Sequence, residues 1–125
     1  MDQILIVDDD RDICESLSLV LKSAGYDTVT FASGQEAYDY IMAENPVSLM
    51  LLDSFMPNMK GEELLEKLQQ RDMAPPTLIV SGAMSPWLSH KMVGYGVGYL
   101  AKPINPDFML NIIKTLLKKQ PANTN

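Results

Sequence analysis

The chain has 125 residues, a formal net charge of −6, a pI near 4.6 and 46% hydrophobic residues. That length suits one domain able to bury most of its apolar surface without disulfides or a structural metal. The acidic balance argues against direct nucleic-acid binding by this domain. No apolar run approaches membrane-spanning length, and Met1-Asp2-Gln3 is not a basic signal-peptide start.

Strand-like runs begin near residues 4, 28, 49, 77 and 97, separated by helical patterns, which predicts five βα units and a parallel sheet. Ile4-Leu5-Ile6-Val7 runs into Asp8-Asp9-Asp10, with Asp10 as the cap of a first helix. That helix carries Ile13, Leu17, Val20 and Ala24 on one stripe and stops at Gly25. Cys14 lies within the same pattern and reads as a packing residue. As the only cysteine it rules out an internal disulfide and points to the cytoplasm. Asp27-Thr28-Val29-Thr30-Phe31 alternates and suits an edge strand, whereas the first, third and fourth strands are continuously apolar, as expected with helices on both faces. Ser33-Gly34-Gln35-Glu36 is a capping-box pattern in which hydroxyl and carboxylate satisfy free backbone donors of a second helix. Leu49-Met50-Leu51-Leu52 runs into Asp53, and a third helix spans about Gly61 to Arg71. Thr77-Leu78-Ile79-Val80 runs into Ser81, with a fourth helix starting at Ser85-Pro86. Tyr99-Leu100-Ala101 runs into Lys102-Pro103, with a fifth helix starting at Asn105-Pro106.

On the fifth helix, Phe108, Met109, Ile112 and Leu116 fit a core stripe. Leu110, Ile113 and Leu117 widen the apolar arc to roughly 200°. The wider arc predicts a partner or dimer face containing Leu110, Ile113 and Leu117, joined by Trp87 and Tyr95. The domain is expected over residues 1–119, with 120–125 a tail or the start of a linker.

Ligands of an open parallel α/β sheet bind outside the carboxyl ends of its strands. Three acids, a hydroxyl and a lysine at such ends read as one assembled site. If Asp8, Asp9 and Asp53 serve one ion, the first and third strands must be neighbours, because adjacent strands lie only about 4.8 Å apart. The second strand then sits outside the first, giving the order 2-1-3-4-5.

Four motifs in order carry a family resemblance: Val7-Asp8-Asp9; Asp53-Ser54-Phe55-Met56-Pro57-Asn58-Met59 followed by Gly61; Val80-Ser81-Gly82-Ala83; and Gly96-Val97-Gly98-Tyr99-Leu100-Ala101-Lys102-Pro103. From Gln3 to about Lys119 the chain resembles the receiver domain of two-component response regulators. The resemblance implies a flavodoxin-like (βα)5 doubly wound fold with the same strand order, and a phosphorelay switch rather than an enzyme. Asp53 would accept a phosphoryl group from a phosphohistidine on a sensor histidine kinase or histidine phosphotransfer protein. Asp8, Asp9, Asp53 and the backbone carbonyl of Phe55 would hold Mg2+. Lys102 and Ser81 would contact the phosphoryl oxygens, joined by the N–H groups of Phe55 and Gly82, and Lys102-Pro103 would be a cis peptide. Ser81 and Tyr99 would carry the switch to the face of fourth helix, fifth strand and fifth helix, where a homodimer would form. Phe55 and Ala83, two positions beyond Asp53 and Ser81, would set how quickly water removes the phosphoryl group.

Two rivals share some of these residues. Asp8-Asp9-Asp10 after an apolar strand also fits the Asp-x-Asp nucleophile pattern of haloacid-dehalogenase-like phosphohydrolases. Asp12 departs from that pattern, no acidic metal motif follows Lys102, and Asp53 would have no role. A degenerate receiver acting only as an interaction module is the other rival, and no required residue is missing.

Overall fold

The computed structural model describes residues 2–56, 58–82 and 97–118. Five parallel strands form one sheet: β1 (Gln3–Val7), β2 (Asp27–Phe31), β3 (Leu49–Asp53), β4 (Thr77–Ser81) and β5 (Val97–Ala101). Their order is β2-β1-β3-β4-β5, with β2 at an edge as its alternating sequence predicts. Around them lie α1 (Arg11–Ser23), α2 (Gly34–Met42), α3 (Gly61–Gln70) and a C-terminal helix (Pro106–Lys118). The expected fourth helix at Ser85-Pro86, with Ala83, Trp87 and Tyr95, lies outside the described residues, as does the tail 120–125.

The continuous apolar runs resolve into two cores because successive strand residues face opposite sides. Ile4, Ile6, Leu51, Leu78 and Val80 pack with Cys14, Leu17 and Leu21 of α1 and with the C-terminal helix. Leu5, Val7, Met50, Leu52 and Ile79 pack with Ala37 and Ile41 of α2 and with Leu64, Leu65 and Leu68 of α3. Each inner strand therefore serves both layers.

Helix ends follow local chemistry. Asp10 caps α1, its Oδ1 accepting the Asp12 N–H at 3.0 Å and the Ile13 N–H at 3.3 Å. Gly25, just past the end of α1, adopts a positive φ of 96°, a conformation that suits glycine. Ser33 Oγ accepts the Glu36 N–H at 3.2 Å. The other half of that capping box differs from expectation, because the Glu36 carboxylate accepts the Ser33 hydroxyl at 3.0 Å. The C-terminal helix opens with Asn105 Oδ1 accepting the Phe108 N–H at 3.0 Å.

That helix corrects the expected stripe. Met109, Ile113 and Leu117 are its buried residues, whereas Phe108 is 57% exposed. Ile112, Leu116 and Leu110 are partly buried against the same core. Ile113 and Leu117 therefore hold the helix to the sheet and cannot form the expected partner or dimer face. The i, i+4, i+8 row of Met109, Ile113 and Leu117 runs from the middle of the apolar arc towards its Leu110 side and faces the sheet, and Phe108 falls on the opposite edge. Ile113→Ala is expected to cost about 3 kcal/mol and Phe108→Ala less than about 0.5 kcal/mol in denaturant unfolding. Equal costs would contradict this orientation.

Candidate phosphoacceptor and metal site

Sheet register brings the acids together. Val7 is paired with Leu52, so Asp8 and Asp53 leave neighbouring strands at the same level. Asp53 is in turn paired with Val80, and Ser81 with Ala101, the residue before Lys102. Backbone bonds tie these ends laterally: Ser54 N–H donates to Val80 O at 3.2 Å and Lys102 N–H to Ser81 O at 2.9 Å. The Lys102–Pro103 peptide is cis.

Carboxylate oxygens of Asp8, Asp9 and Asp53 lie within 4.8 Å of one another. Asp8 and Asp53 are 4% and 5% exposed, while Asp9 faces solvent. Asp8 Oδ1 accepts the Asp10 N–H at 2.9 Å. Lys102 Nζ bridges the two buried acids, 3.4 Å from Asp8 Oδ2 and 3.4 Å from Asp53 Oδ1. Asp53 Oδ1 also accepts the Phe55 N–H at 3.4 Å.

Burial and then the charge of Asp8 push the Asp53 carboxyl above the ordinary carboxylate value, against the opposing pull of Lys102 and the Phe55 N–H. Burial pulls the Lys102 ammonium down, but Asp8 and Asp53 together outweigh it and leave its pKa above the ordinary lysine value. One ammonium therefore does not offset the burial of Asp53 beside the charge of Asp8.

Ser81 is fully buried. Tyr99 is half-buried, paired in register with Ile79, and packs on the α2–α3 core. By strand alternation Ser81 and Tyr99 stand on one face of the sheet as diagonal neighbours. Phe55 is 56% exposed beside Asp53. Cys14 Sγ donates to the Asp8 carbonyl at 3.3 Å, and its thiol is pushed up to about 11, by burial first and then by Asp8. It is an inert packing thiol, as its helical context predicts.

Two contacts escape sequence reading. Lys102 spans both buried acids, where only a phosphoryl partner was expected. The Ser54 hydroxyl donates to Glu62 Oε1 at 2.7 Å, and the local sequence carries no signal for this beyond a polar residue after β3.

The sequence profile of the response regulator receiver domain matches residues 4–114. The chain belongs to that family. This receiver domain is 32% identical over 124 residues to the uncharacterized transcriptional regulatory protein YkoG of Bacillus subtilis, covering 97% of this chain and 53% of that protein. It is 30% identical over 120 residues to the alkaline phosphatase synthesis transcriptional regulatory protein PhoP of the same organism, covering 94% and 49%. The chain thus spans about half the length of the curated relatives it matches. Among solved structures, the CheY-like receiver domain protein of Methanospirillum hungatei JF-1 superposes with a TM-score of 0.87 at 35% identity, covering 98% of both chains. The chemotaxis protein CheY4 of Vibrio cholerae gives 0.84 at 28% identity, covering 93% of this chain and 98% of that one. Receiver domains are signalling switch domains, and neither rival reading is favoured by these likenesses. No helix among the described residues is long and apolar enough to cross a membrane.

Proposed function

We propose that this receiver domain takes a phosphoryl group onto Asp53 from a phosphohistidine of a sensor histidine kinase or histidine phosphotransfer protein. The observation that carries the reading is the convergence of Asp8, Asp9 and Asp53 with Lys102 held against two of them. An Asp53 oxygen forms the new bond to phosphorus as the phosphorus–nitrogen bond breaks, and the histidine nitrogen leaves with that electron pair. Bringing a carboxylate to a phosphoryl group sets negative charge against negative charge, so the site must supply cations.

The donor set fits Mg2+: clustered hard oxygens, with a buried acid whose pKa is raised by its own burial and by its neighbour. Asp8, Asp9, Asp53 and the Phe55 carbonyl would hold it. When bound, Mg2+ supplies positive charge that offsets the carboxylates and stabilises charge on the phosphoryl oxygens. Lys102 then pairs with a phosphoryl oxygen, and the Ser81 hydroxyl donates to another. Phosphorylation adds about −2 charge and strong acceptors, so Ser81 and Lys102 are drawn towards Asp53. Tyr99 repacks beside the shifted Ser81 and biases a two-state surface. An apolar groove of about 580 Å³, lined by Ile13, Leu17, Val20, Ile104 and Met109, opens beside Lys102 and offers a phosphodonor protein a seat near Asp53.

Incubation with a small phosphodonor and Mg2+ is expected to place one phosphoryl group on the chain, absent from Asp53→Asn and from samples with a chelator. Label on Asp8, or repeated turnover of an aryl phosphate, would overturn the reading in favour of a phosphohydrolase.

A further inference from the structure

Ser54 follows the phosphoacceptor and is 3% exposed, yet it carries a hydroxyl. An alanine would fill this buried position with no polar group to satisfy. Three hydrogen bonds hold the residue in different directions. Its N–H donates to Val80 O of β4 at 3.2 Å, and its carbonyl accepts the Gly61 N–H at 3.1 Å. Its hydroxyl donates to Glu62 Oε1 at 2.7 Å. Two of the three therefore run to the first turn of α3. Glu62 is favourably placed there, because a carboxylate is stabilised at a helix N-terminus and makes a strong charge-assisted bond.

The neighbouring residue explains what this anchorage does. The side chain of Phe55 is 56% exposed, so packing does little to fix its peptide. Its N–H nevertheless reaches Asp53 Oδ1, at a long 3.4 Å. That N–H belongs to the Ser54–Phe55 peptide, whose carbonyl accepts the Gly61 N–H, so the anchorage of Ser54 sets the plane from which the next carbonyl, that of Phe55, projects.

Resting on the assignment of Asp53 and the Phe55 carbonyl to the metal and phosphoryl site, we propose that Ser54 and Glu62 are positioning residues whose mutual hydrogen bond fixes the Phe55 peptide and thereby sets the affinity for Mg2+. Groups that orient metal ligands without touching the ion commonly change affinity by about ten-fold or more when removed.

The test is Mg2+ titration calorimetry on the full chain, with thermal melts in chelator to check folding. Ser54→Ala and Glu62→Ala are each expected to weaken Mg2+ binding about ten-fold, and the double variant no further than either single. Glu62→Gln retains an oxygen acceptor for the Ser54 hydroxyl and is expected to bind close to the unaltered chain. Unchanged affinity in Ser54→Ala overturns the proposal, as do additive losses in the double variant. Glu62→Gln binding as poorly as Glu62→Ala would assign the effect to charge alone and also overturn it. Should Ser54→Ala fail to fold, the Glu62 pair decides by the same comparison. Asp9→Ala separates the metal site from the positioning role. If the unaltered chain shows no Mg2+ binding that Asp9→Ala weakens, the metal site falls and this proposal with it. If that binding is present and Ser54→Ala leaves it intact, only the positioning role falls.

Discussion

A Lys102→Met domain is expected to bind Mg2+ at least as tightly as the unaltered domain and to accept phosphoryl groups about a hundred-fold more slowly. The two effects separate because Lys102 occupies two roles in turn. Before reaction its Nζ lies 3.4 Å from Asp8 Oδ2 and 3.4 Å from Asp53 Oδ1, so it competes with a metal ion for the same oxygens. Removing it frees those oxygens. On the proposed function it becomes the second positive pole beside the phosphoryl group during transfer, and methionine would fill its volume without its charge. Burial opposes the ammonium, but Asp8 and Asp53 leave its pKa above the ordinary lysine value. Its stabilising contribution is thus fully present below the ordinary lysine pKa. It is lost only as the pH rises through the higher folded value, so neutral-pH assays see the cation intact. Titration calorimetry and the initial rate of phosphorylation check the two halves. A parallel loss of both would mean that Lys102 holds the pocket's shape rather than stabilising transferring charge.

Gly61→Ala is expected to destabilise the domain by about 3 kcal/mol, a fall in Tm on the order of 10 °C. A Cβ at Gly61 would stand 2.4 Å from the Asp53 carbonyl oxygen and 3.2 Å from Leu52 Cγ. The obstruction is backbone belonging to β3, which is locked between β1 and β4 and has no rotamer to change. The start of α3 must therefore move, carrying with it the Gly61 N–H bond to Ser54 and the loop beside Asp53. Gly82→Ala is the control for stability, since no atom of the described residues lies within 4 Å of its added carbon. Thermal melts of both variants decide the matter. Near-equal melting temperatures would show that the α3 start yields easily.

Much of this fold can be read from where apolar runs stop. Asp8, Asp53, Ser81 and Lys102 end or follow strands, and requiring the acids to meet fixes which strands are adjacent; the observed sheet has that order. The C-terminal helix was harder to orient because its apolar arc is too wide for periodicity to mark a centre. Packing against the sheet settles it: a Cβ at Gly98 would come within 3.0 Å of Leu78 Cδ1 and 3.7 Å of Leu116 Cδ1, so the bare glycine leaves room for the helix. The Ser33–Glu36 cap was right in its residues and half wrong in its bonds, because a flexible carboxylate has a nearby hydroxyl to choose. The Ser54–Glu62 bond depends on two side-chain rotamers across a loop, information that spacing in a single sequence does not contain.

The reactive groups hang from strand termini set by ladder register, while large apolar side chains such as Leu19 and Phe108 face outward from helices. On the proposed function, reagent and address are thereby written on separate parts of the molecule. Helix exteriors can be recoded to redirect an information channel from one correspondent to another, with the anionic hollow at the sheet's rim left untouched.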